Sequence, residues 1–133
     1  MHRSDSEVAF IFSGAESYLK YSLELRRLGF SNLKFFSSLG GVLDFRGVEF
    51  FDYLIYELPV GSVLSYTDLK ILSLKVQHII LLVDMPDSKK SSVLCWAWRN
   101  KIPLLGLVSG FEDFSELEEL MSFHHDLSRF GAC

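Results

Sequence analysis

Five short, almost unbroken apolar runs punctuate the chain, at residues 8–12, 33–36, 53–56, 78–83 and 103–108. Runs of this length suit strands covered on both faces, as in a parallel sheet, since a strand with one wet face would alternate polar and apolar positions. Between the runs, apolar residues recur at helical spacing. Residues 15–28 put Tyr18, Tyr21, Leu25 and Leu28 on one face, with Lys20, Glu24 and Arg27 elsewhere and Gly29 placed as a stop. Residues 42–50 predict a short second helix, interrupted by Gly47. Residues 65–74 begin near a cap and lead into Leu69, Leu72 and Val76 at i, i+3 and i+7, the pattern of an amphipathic crossover.

A fourth helix is expected over residues 91–101, after a polar loop at 87–90. At 100° per residue it brings Leu94, Ala97 and Trp98 together and sends Trp96 to roughly the opposite side. The fifth opens on Ser115 as N-cap with Glu118 three residues on, a capping-box pattern, and gathers Leu117, Leu120, Met121 and Leu127 on one face. The order βαβαβαβαβα predicts an α/β fold: a doubly wound, five-stranded parallel sheet with right-handed crossovers and helices on both faces. No repeat, low-complexity segment or linker divides residues 1–133, so a single domain is expected.

Composition narrows the function classes. A chain of 133 residues can bury a core without staples, and 12 Phe and 5 Tyr among 49% hydrophobic residues point to aromatic packing. The net charge of −4 argues against direct binding of nucleic acid, which needs a clustered basic surface. Cys95 and Cys133 form no C-x-x-C pair and are too few for a disulfide framework, so a reducing, cytoplasmic setting is the expectation. No apolar run reaches the length of a membrane span, and residues 1–7 lack the pattern of a signal peptide.

The segment Asp52-Tyr-Leu-Ile-Tyr-Glu-Leu-Pro59 is the most informative stretch, because it ends a strand in Glu57 just before a loop. In doubly wound sheets the carboxyl ends of the strands are where ligands and chemistry collect. With this segment and the strand spacing, the chain resembles the receiver domain of two-component response regulators, whose CheY-like or flavodoxin-like build covers nearly its whole length. The resemblance implies an acidic metal-binding pair after the first strand, a phosphoacceptor aspartate ending the third, a Thr or Ser after the fourth and a Lys after the fifth. Here those positions fall on Ser13 and Gly14, with Glu16 a little beyond; on Glu57; near Val83 and Asp84; and on Ser109, with Gly110 in place of the usual proline. The pattern implied is that of a degenerate pseudo-receiver.

The losses have chemical consequences. Mg²⁺ seeks an octahedral oxygen shell, and Ser13 with Gly14 supplies no anionic ligand, so no metal or other cofactor is expected. Phosphoryl transfer to a carboxylate without a cation or lysine to neutralise developing charge loses most of its catalysis. Glu57 either stands as a solvated strand-end carboxylate or imitates a permanent negative charge. Asp84, in Val83-Asp84-Met85-Pro86, is the alternative phosphoacceptor, and the Ser13 turn leaves open a phosphate-cradling, nucleotide-binding reading.

Other candidates are weaker. His124 and His125 point about 100° apart on one helix and cannot easily share a metal. Cys95 has no basic residue closer than Arg99, which favours a packed side chain over a nucleophile. An outward Trp96 would be an anchor for a protein interface, on the surface through which receivers commonly pair. The expectation is therefore a signalling module, not an enzyme. It would work through a protein partner or as a homodimer, independent of Asp phosphorylation, and would be either free-standing or the N-terminal part of a transcription regulator.

Overall fold

The computed structural model describes residues 5–59, 63–109 and 114–122. Strands and helices alternate as β1 (Glu7–Ile11), α1 (Ala15–Arg27), β2 (Asn32–Phe36), α2 (Leu39–Asp44), β3 (Tyr53–Glu57), α3 (Tyr66–Leu72), β4 (Ile79–Leu82), α4 (Asp87–Arg99), β5 (Leu104–Val108) and α5 (Phe114–Ser122). All five strands are parallel, in the order β2-β1-β3-β4-β5. This is the flavodoxin/CheY-like α/β arrangement that the apolar runs predict.

Strand alternation divides the core into two layers. Val8, Phe10, Tyr53 and Ile55 pack with Tyr21 and Leu25 of α1 and with Leu117 and Met121 of α5. Ala9, Ile11, Leu54 and Leu81 face the other way, onto Val42 of α2, Leu69 and Leu72 of α3, and Val93 and Ala97 of α4. Each Val, Leu, Ile, Phe or Met among them, fully buried, contributes about 1.5–3 kcal/mol of transfer free energy.

Two glycines are tied to this packing. Gly29 sits at φ 103°, a left-handed conformation that ends α1 at little cost only for glycine. Gly106, inside β5, lets α5 lie close against the sheet, since a Cβ there would come within 2.8 Å of Leu120 Cδ1.

Three helices depart from their expected bounds; α5 starts at Phe114, so Ser115 lies in its first turn and is not its N-cap. α2 begins at Leu39, with the Ser38 hydroxyl accepting from the Gly41 N–H at 3.3 Å, and ends at Asp44. Its helical Gly40 and Gly41 look like a turn in sequence. α4 begins at Asp87, so the segment expected as a polar loop is its first turn. Polar residues suit a solvated helix start and carry no apolar periodicity to reveal it. No helix among the described residues is long and apolar enough to cross a membrane.

Candidate functional site

The chain runs from β1 outward to β2 and then back past β1 to β3. The strand order therefore reverses between β1 and β3, and a crevice opens at their carboxyl ends, the topological switch point of the sheet. β1 extends into Phe12, whose N–H donates to Phe36 O at 3.1 Å, and then turns through Ser13 and Gly14 into α1. Gly14 is the N-cap of α1 in an extended conformation, and no side chain of the helix's own segment caps it.

A strand-end side chain binds this turn from across the sheet. Because Tyr53 and Ile55 face the α1 layer, Glu57, two residues on, faces it too. Its carboxylate reaches the start of α1, where the Ser13 N–H and Ser13 Oγ both donate to Oε1 at 2.7 Å and Ser17 Oγ donates to Oε2 at 2.7 Å. Glu57 is only 3% exposed and Ser17 5%. A negative charge at a helix N-terminus also meets the favourable end of the helix dipole. One turn along α1, burial and then the neighbouring Glu57 hold the Tyr21 phenol well above its ordinary pKa.

This geometry removes one sequence reading of Glu57: it is not a solvated strand-end carboxylate. Three donors occupy most of the roughly four acceptor positions a carboxylate has. A group so enclosed is poorly placed to attack phosphorus, which needs a free lone pair on an open line of approach. Ser17, a binding partner of Glu57, escaped sequence reading. Its signal was its spacing, four residues after Ser13 and four before Tyr21, on one face of the helix.

The remaining expected positions scatter. Ser13 joins Glu57, and Gly14 lies in the same turn. Glu16, in the first turn of α1, is exposed. Among the described residues no group of three His, Cys, Asp or Glu could hold a metal ion. Val83 is half-buried, its N–H donating to Val108 O at 2.9 Å in continuation of the β4–β5 ladder. Asp84 is exposed and lines, with Lys89, a different cleft of about 300 Å³ bordered by Leu58, Tyr66 and Val93. Glu57 and Asp84 thus line separate cavities. Ser109 accepts from Lys90 Nζ at 2.6 Å, so a lysine from α4 reaches the end of β5. Lys90 was hidden in the segment expected to be a loop.

Trp96 requires a correction. The fully buried face of α4 is Val93 and Ala97, with Leu94, Trp96 and Trp98 all half-buried against the same core layer. Trp96 lies towards α3. Its ring centroid lies 4.1 Å from that of Tyr66, and Lys70 Nζ sits 5.9 Å from the ring centroid. Trp96 is half-buried between helices and does not stand as a free outward anchor. Trp98 donates from Nε1 to Leu104 O at 3.1 Å. Cys95 is not a free thiol, which removes the nucleophile reading and departs from the expectation of two reduced cysteines. His124 and His125 lie outside the described residues.

No protein-family model matches this chain, and no curated protein matches its sequence.

Proposed function

We propose that the chain is a non-catalytic, receiver-like signalling module that acts by binding a protein partner or a second copy of itself, independent of Asp phosphorylation. The observation that supports this reading is the enclosure of Glu57 by Ser13 and Ser17 at the position where a receiver would carry its phosphoacceptor. A carboxylate tied into the start of α1 holds the β1–α1 and β3 ends in one arrangement. A module built this way presents a fixed surface in place of a switched one. As the regulatory part of a transcription regulator, it would deliver that fixed surface to an effector domain.

The competing reading is a receiver that accepts phosphate on Asp84, whose carboxylate is exposed beside Lys89. Incubation with a small phosphodonor and Mg²⁺, followed by intact-mass measurement, separates the two. The proposal expects no mass gain. A stoichiometric, acid-labile adduct on Asp84 or Glu57 would overturn it.

A further inference from the structure

The face of α1 turned away from the sheet carries two large apolar side chains one turn apart, Leu19 and Leu23, which are 61% and 71% exposed. Single exposed leucines are ordinary on a protein surface. These two are set apart by what brackets them. At 100° per residue, Glu16, Leu19, Leu23 and Arg26 fall within an arc of about 80°, so they form one stripe along the helix. Glu16 and Arg26 are both exposed, and they stand at its opposite ends. On one flank Arg27 is held by Glu24 of the same helix, and on the other the Tyr18 ring packs on Phe35.

The stripe is its own complement. Leu19 and Leu23 lie two positions either side of residue 21, and Glu16 and Arg26 five. A copy of α1 laid antiparallel on it sets leucine against leucine at the centre and Glu16 against Arg26 at both ends. The same arrangement brings the positive N-terminal end of each helix beside the negative C-terminal end of the other. A parallel copy would oppose like charges at both ends. Self-complementarity of one patch about a two-fold axis is what an isologous dimer interface requires, and an unrelated partner protein would require no such symmetry.

We propose that α1 is a self-docking surface. A second copy of the chain lays its α1 antiparallel on this one, about a two-fold axis at the level of residue 21, covering Leu19 and Leu23 of both copies and pairing Glu16 of each with Arg26 of the other. The inference rests on the reading of the chain as a module that binds proteins, and it commits that reading to a second copy.

The test is sedimentation of the full chain at low salt over a range of concentrations. The parent should associate to a dimer. Leu19→Asp and Leu23→Asp should each weaken that association at least about tenfold, as fits an unpaired charge placed twice in an apolar contact. Glu16→Lys and Arg26→Glu should each weaken it by about tenfold, since either reversal opposes like charges at both ends. An equimolar mixture of these two variants should dimerise about as tightly as the parent, because each mixed pair again matches opposite charges at both ends. The mixture carries the test if circular dichroism shows that the leucine variants fail to fold. A monomer at every concentration, a dimer that the leucine variants leave intact, or a mixture no tighter than its components would overturn the proposal. None of these results alters the phosphodonor experiment, on which the signalling reading turns.

Discussion

Ser17 of α1 donates its hydroxyl hydrogen to Glu57 of β3 at 2.7 Å, across 40 residues of sequence and inside the protein. The bond joins the first helix to the third strand at the point where the sheet order reverses, and it ties a strand-end carboxylate to the first turn of α1.

The simplest consequence concerns Ser17 alone. Ser17→Ala removes one donor and leaves a buried carboxylate oxygen without it, a change expected to cost about 1–3 kcal/mol of unfolding free energy. Urea unfolding monitored by tryptophan fluorescence measures it. Ser17→Thr, which keeps the hydroxyl, should recover part of the loss.

Alkaline pH provides a second check. In the unfolded chain the Tyr21 phenol ionises near pH 10. In the folded chain burial, and then Glu57, push its ionisation to higher pH, and burial with Asp68 does the same for Tyr56. The contribution of these phenols to stability is therefore fully present below about pH 10 and is lost as pH rises beyond it. Phenolate absorbance should show fewer ionised tyrosines in the native protein than in urea at about pH 11, and Tyr21→Phe should remove part of that difference. Equal titration in both states would contradict the burial of Tyr21.

Gly106 offers a packing test. Gly106→Ala places a methyl within 2.8 Å of Leu120 Cδ1, and overpacking of this kind is expected to destabilise by about 1–3 kcal/mol. The variant should loosen α5 first, which hydrogen exchange at the amide of Met121 would record.

Trp96 separates an interface role from a packing role. Because its ring lies against Tyr66 and near Lys70, Trp96→Ala should shift the fluorescence spectrum and lower stability by about 1–3 kcal/mol, with self-association in sedimentation unchanged. A change in the monomer–dimer profile with stability intact would return Trp96 to the surface account.

Strand existence and strand type were legible because each apolar run is short and continuous, and burial on both faces leaves no other pattern. The side of the sheet that Glu57 faces was legible too, from Tyr53, Ile55 and Glu57 at alternating positions. What it touches was not. Ser17 is a small polar residue at a buried position, and hydropathy carries no signal for a hydroxyl whose partner lies 40 residues away. The first turn of α4 was missed because it is polar, and the centring of its fully buried face on Val93 and Ala97 was enough to reverse the role assigned to Trp96. In α2 the pair Gly40-Gly41 hid the start of the helix, which lies against Phe36.

The central claim is that Glu57 is held in place by α1, and a double-mutant cycle between Glu57 and Ser17 measures that hold. Unfolding free energies of the parent, Glu57→Gln, Ser17→Ala and the double variant should give a coupling of about 1.5–3 kcal/mol, the value of a buried hydrogen bond to a charged group. A coupling below about 0.5 kcal/mol would mean that the two residues act independently, and the account of Glu57 as held by α1 would fail.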